Sequence, residues 1–224
     1  MLDSLTIIDL SHPINPNVPT WTGGCGFEAV IKMDYQEGLR VHKLHLHAGI
    51  STHLDAPSHF FKNGLSLSEL DLKNFIVPLY VVSIPITKEE EFIEKQAVEN
   101  YIEENGPPLE GSFIAFSTGW AEKFSDSQAY RANLRFPGVR KEAVECFLPY
   151  NIKGIGIDTL SPDGCDDKHP VHHLLLGKGQ YIIENLNKLD ELPVMGAYLI
   201  ALPLKIDGGT ECPIRAIAFF DEES

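Results

Sequence analysis

His53, Asp55 and His59 sit close together in Thr52-His53-Leu54-Asp55-Ala56-Pro57-Ser58-His59. Side chains alternate along an extended chain, so His53 and Asp55 would point to the same side. An imidazole and a carboxylate aimed at one point are nitrogen and oxygen ligands of the kind Zn²⁺ and Mn²⁺ accept. Pro57 restricts the chain beyond Asp55, and His59 can fold back toward the same place without being a ligand. An imidazole, with an ordinary pKa of about 6.5, suits general acid–base work beside a reactive water. Surface or hydrogen-bonded core histidines would explain one such residue. They explain His-x-Asp-x-Pro-x-His less well.

The nine histidines are unevenly spread, with His42, His45, His47, His53 and His59 inside eighteen residues. A second group, His169, His172 and His173, lies downstream. Glu184 follows the apolar run Tyr181-Ile182-Ile183. A carboxylate there is costly to bury unless it is paired or bound to a metal. An exposed Glu on an amphipathic segment is the other reading. His172 and Glu184 form a second candidate pair, and His173 reads as a hydrogen-bonded neighbour. Asp158-Thr159-Leu160-Ser161-Pro162-Asp163 follows an apolar run, where strand ends often present functional groups.

The elements that must position these groups are mostly strands. Thr6 to Leu10, Val41 to His47, Val77 to Ile86 and Ser112 to Ser117 read as strands, as do Gly154 to Asp158, Ala197 to Leu202 and Ala216 to Phe220. Asn15 to Pro19 reads as a loop because its two prolines cannot continue a central strand. Thr87 is expected to cap a helix with Glu89, Glu90 and Glu91 in its first turn, where the helix dipole favours acids. Ala97 to Glu104 continues that pattern. A second helix is expected over Lys141 to Leu148, with Pro149 just past its end. Asp207 to Thr210 reads as a turn between strands. The mixture implies an α/β or α+β fold with a β-rich core.

The chain has 224 residues, 43% of them hydrophobic, and a net charge of −14. That is the size of one ordinary domain with a sizeable core, and residues 1–224 are taken as one domain. The acidic surface would repel a phosphate backbone, so nucleic acid is not an expected partner. The start carries no signal-peptide pattern, and no apolar run approaches the ~18 residues that cross a bilayer. A soluble, cytoplasmic protein without a membrane partner is expected. The four cysteines form no C-x-x-C pair, which excludes a zinc ribbon. No serine lies in Gly-x-Ser-x-Gly, no cysteine lies in a nucleophile signature, and no phosphate-binding loop is present.

With these residues in view, the chain resembles the cyclase family of metal-dependent hydrolases, that of bacterial kynurenine formamidases and isatin hydrolases. Thr52 to His59 matches the later part of its motif His-x-Gly-Thr-His-x-Asp-x-Pro-x-His. Ile8-Asp9-Leu10-Ser11-His12-Pro13 resembles the family's opening, and Ser117-Thr118-Gly119-Trp120 its Thr-Gly-Trp turn. Phe136-Pro137-Gly138, Gly156-Ile157-Asp158-Thr159 and Pro213-Ile214-Arg215-Ala216 are similar to its later landmarks. The resemblance runs nearly end to end. It implies an α/β fold, a single β-rich domain of the swivelling β/β/α-like type. It also implies a homo-oligomer, dimer or tetramer, with active sites near subunit contacts.

By position, the resemblance makes His53, Asp55, His172 and Glu184 metal ligands, His59 the general acid–base, and Trp21 an aromatic border of the substrate pocket. One position departs. The family's first ligand lies four residues before His53, where this chain has Gly49, and the neighbouring family glycine is Ser51. A two-ion centre of the formamidase type therefore loses a ligand. His47 shares the strand parity and could replace it only through a bulge, since two residues span ~6–7 Å. A single Zn²⁺ or Mn²⁺ is the simpler expectation, with His45 and His47 around it or lining the pocket. The implied activity is hydrolysis of a small amide, formamide or lactam. The alternative is a small-ligand-binding or regulatory member with an eroded site.

Overall fold

The computed structural model describes residues 4–221. Residues 1–3, part of the start read as lacking a signal peptide, lie outside it. Strands β1 (Leu5–Asp9), β2 (Phe27–Met33), β3 (Val41–Leu46) and β4 (His53–Asp55) come first. Next come β5 (Ile76–Ser83), β6 (Phe92–Ile93), helix α1 (Lys95–Asn105) and β7 (Phe113–Ser117). Helix α2 (Ser127–Arg131), β8 (Gly138–Val139), helix α3 (Lys141–Glu145) and β9 (Gly154–Ile157) follow. The chain closes with helix α4 (Pro170–Leu176), β10 (Tyr181–Glu184), β11 (Tyr198–Ile200), β12 (Glu211–Pro213) and β13 (Ile217–Asp221). None of the described helices is long and apolar enough to cross a membrane.

Nine strands form one mixed sheet in the order β1-β13-β11-β5-β7-β9-β10-β4-β12. Its centre, β5-β7-β9-β10, is parallel, and its flanks are antiparallel. Buried parallel strands read as unbroken apolar runs, which is how Phe113 to Phe116 and Ile155 to Ile157 read. Period-two alternation sorts them onto two faces. Leu79, Val81, Phe113 and Ala115 join one core, while Tyr80, Val82, Ile114 and Phe116 join the other. The second core is closed by helices, through Val98 of α1, Val144 of α3 and Leu175 of α4. In the first core, Leu54 of β4 and Ala218 of β13 share one cluster although their strands lie six places apart in the sheet. The sheet therefore curls back on itself and closes that core with no residue from an α-helix. This is the mixed, β-rich α/β architecture the sequence implies.

Two expectations need correction. Residues 87–91 are not helical. Phe92 and Ile93 form β6 on β8, and α1 begins only at Lys95 with Glu94 as its cap. Glu89 and Glu90 instead face Arg135, an ion pair with a distant residue outweighing the helix-dipole preference. Helix α3 stops at Glu145, and Pro149 lies inside a separate 3-10 turn, Leu148–Tyr150. Strand β3 forms as expected but pairs only with β2, in a two-stranded sheet apart from the main one.

Candidate metal centre

Strand register assembles the centre. β4 lies between β10 and β12, with His53 opposite Glu184 and Asp55 opposite both Ile182 and Glu211. Residues directly opposite one another share a face, as do residues two apart on a strand. His53, Asp55, Glu184 and Glu211 therefore project from one side, while Leu54, Ile183 and Cys212 turn into the core beneath. Helix α4 covers that side and brings His172 inward.

The approach to β4 is tightly held. Ser51 lies in the left-handed region at φ 56°, which costs a residue with a Cβ about 1 kcal/mol. Its hydroxyl donates to the His12 carbonyl, and the Asn185 amide donates to the Ser51 carbonyl. The Thr52 hydroxyl donates to the Asn185 carbonyl and accepts from the His12 N–H. These bonds tie the start of β4 to the end of β10, so His53 and Glu184 are positioned together.

Four predicted ligands converge. His53 Nε2 lies 3.3 Å from Glu184 Oε2 and 3.6 Å from Asp55 Oδ1. His172 Nε2 lies 3.3 Å from Glu184 Oε1 and 3.5 Å from Asp55 Oδ2. All four residues are at most 6% exposed. Each imidazole is oriented through its other nitrogen. His53 Nδ1 donates to the Ser51 carbonyl at 2.9 Å, and His172 Nδ1 bonds the Asp163 carboxylate. Asp163 also accepts from the Val171 and His172 N–H groups, fixing the first turn of α4. Outer partners of this kind hold an imidazole with its remaining lone pair aimed at a metal.

The charge balance fits a cation. Among the described residues no lysine or arginine pairs with Asp55 or Glu184. Burial lowers the His53 pKa, but the charges of Asp55 and Glu184 outweigh it and raise it to about 10. Burial likewise opposes the His172 proton, which Asp163, Asp55 and Glu184 draw on strongly enough to raise its pKa well above normal. These carboxylates demand positive charge at the point where the two Nε2 atoms meet. Asp55 Oδ1 is buried and accepts no hydrogen bond, an expensive state for a carboxylate oxygen unless a ligand completes it. Asp55, His172 and Glu184 form one group of mutually close donor atoms; His53, Asp55 and Glu211 form another. The donor set is mixed nitrogen and oxygen, which suits Zn²⁺ or Mn²⁺.

The centre opens on a cleft of about 400 Å³. Trp21, Phe60, Leu160 and His169 line its apolar part, and His47 and His59 also face it. His59 ends the 3-10 turn Pro57–His59 that follows β4; its side chain is 31% exposed and lies 3.4 Å from Glu211. Gly64 allows this turn, since a Cβ there would meet the Pro57 carbonyl carbon at 2.6 Å. His45 is not at the cleft but exposed on the β2–β3 ribbon, opposite Glu28. His47 belongs to neither donor group at the centre, because β3 ends at Leu46 and the chain turns away before β4. Asp163, Phe60, His169 and Glu211 carried no assigned role in the sequence reading. The downstream histidine group pointed toward His169 and the strand-end stretch Asp158 to Asp163 toward Asp163; nothing in the local sequence pointed to Glu211.

The chain is similar to known proteins along most of its length. The Cyclase family model matches residues 8–164. Kynurenine formamidase of Bacillus cereus is 30% identical over 213 residues, covering 94% of this chain and 95% of that protein. Isatin hydrolase of Roseibium aggregatum is 31% identical over 189 residues, covering 77% of this chain and 71% of that protein. Isatin hydrolase A from Labrenzia aggregata, solved bound to benzyl benzoate, superposes with a TM-score of 0.89 at 29% identity, covering 99% of this chain and 96% of that one. The chain belongs to the Cyclase family. It is a hydrolase, as these relatives are.

Proposed function

We propose that the protein is a metal-dependent hydrolase of a small amide, formamide or lactam, acting on a C–N bond outside a peptide. The observation that carries this reading is the convergence of His53, Asp55, His172 and Glu184 on one buried point beside an aromatic-walled cleft. These four hold one divalent cation, Zn²⁺ or Mn²⁺. Such an ion, when bound, lowers the pKa of water toward ~7 and polarises a carbonyl oxygen. His59 takes the proton released as water adds to the carbonyl carbon. It then delivers that proton to the leaving nitrogen as the C–N bond breaks, so that the amine leaves neutral. Trp21, Phe60 and His169 give a planar substrate surfaces to stack on, and His47 borders the same cleft.

The relatives' names support a formamide or a lactam as substrate. A homo-oligomer, dimer or tetramer, goes with this reading, as the family resemblance implies, and a small molecule in the cytoplasm is the substrate it is expected to meet. The alternative of a non-catalytic binding protein rested on Gly49; the convergence of the four remaining ligands and the position of His59 speak against it. The test is a hydrolysis screen with an N-formyl arylamine and isatin, run before and after chelation. Turnover of at least one substrate, abolished by chelation and restored by Zn²⁺ or Mn²⁺, is the expected result. Undiminished turnover after complete metal removal would sink the proposal.

A further inference from the structure

The centre holds a carboxylate that the one-cation reading leaves idle. Glu211 stands directly across β4–β12 from Asp55 and on the same face. One donor atom each from His53, Asp55 and Glu211 lie within 4.8 Å of one another, as do those of Asp55, His172 and Glu184. The two groups share only Asp55, which is built to serve both. Its Oδ2 faces His172 at 3.5 Å and its Oδ1 faces His53 at 3.6 Å. Oδ1, buried and without a hydrogen bond, is the oxygen beside His53, which groups with Asp55 and Glu211.

The backbone opposite Glu211 makes room for it. A Cβ at Gly49 would lie 3.1 Å from Glu211 Oε2 and 3.3 Å from its carboxyl carbon. The carboxylate thus fills the space that a side chain at position 49 would take. Charge favours a further cation as well. Asp55, Glu184 and Glu211 bring three carboxylates to one site, and a single dication leaves net negative charge largely shielded from water, an expensive state. Glu211 also lies 3.4 Å from His59 Nδ1 through Oε2. That contact leaves Oε1 free, so facing His59 and ligating a cation are compatible.

We propose that Glu211 is a metal ligand which, with His53 and Asp55, completes a second divalent-cation position, Asp55 bridging the two. This rests on the hydrolase reading above and reassigns His53: its Nδ1 is bonded to the Ser51 carbonyl, so its one free nitrogen, Nε2, serves the second ion, while Asp55, His172 and Glu184 keep the first. The position takes a hard or borderline dication, since its donors are two carboxylates and one imidazole.

The test uses Mn²⁺ alone as probe on the full-length protein, reading stoichiometry by equilibrium dialysis and ion pairing by electron paramagnetic resonance. Wild type should bind two Mn²⁺ per chain with an exchange-coupled spectrum. Glu211→Gln should bind one, lose the coupling, and weaken the second binding step about 100-fold or more. Glu211→Asp, which keeps the charge but shortens the reach, should fall between them and guards against misfolding of the first variant. One ion per chain in wild type, at an affinity Glu211→Gln leaves unchanged, overturns the inference and leaves the one-cation reading standing. No bound ion in wild type overturns both. Two coupled ions in Glu211→Gln with reduced turnover would make Glu211 a positioning residue for His59 and overturn its role as ligand.

Discussion

Asp55→Asn should strip the protein of bound metal and reduce kcat about 10³-fold or more. Among the described residues Asp55 is the only one that belongs to both donor groups at the centre, so no other single change there removes a donor from both. An amide keeps the shape but loses the charge, and its NH₂ would point a donor where a cation must sit. Loss of an outer-shell partner alone costs roughly 10–100-fold in metal affinity or activity, which sets a floor for losing the ligand itself. Elemental analysis after gel filtration, with circular dichroism as a folding control, gives the answer. Full metal occupancy in a folded Asp55→Asn protein would remove Asp55 from the ligand set.

His59→Ala should do the opposite to the metal and nearly the same to turnover. The imidazole lies at the cleft, outside both donor groups, so metal content should stay at the wild-type level. General acid–base catalysis contributes about 10²–10⁴-fold, and kcat should fall within that range. The size of the loss should depend on the leaving group. A poorly basic amine can depart with little protonation and should lose least, whereas a basic amine should lose most. Steady-state kinetics over a series of substituted anilides measures this slope. Turnover unchanged for every member of the series would take His59 out of the mechanism.

Much of the scaffold was legible because parallel strands buried on both faces leave continuous apolar runs, as Phe113 to Phe116 and Ile155 to Ile157 do. The His53–Asp55 pair was legible through period-two parity, which holds on any extended segment. Glu184 was balanced between a buried and an exposed reading, because an apolar run does not tell which face of a sheet is covered. Helix α4, carrying His172, settles it. The misplaced helix start at Thr87 shows the limit of local rules, since the partner of Glu90 is Arg135, 45 residues away. Glu211 was missed for the same kind of reason. It lies on a three-residue strand whose pairing with β4 is long-range, and register of that sort leaves no local periodicity. Gly49 read as a simple loss, whereas the space beside it is filled by that carboxylate.

Anomalous scattering from a crystal soaked in Mn²⁺ tests most directly whether separate stretches of the chain close on a cation. A peak is expected within about 2.0–2.3 Å of His172 Nε2 and of carboxylate oxygens from both Asp55 and Glu184. Ordered side chains at these three positions with no peak between them, and manganese bound only elsewhere, would contradict it.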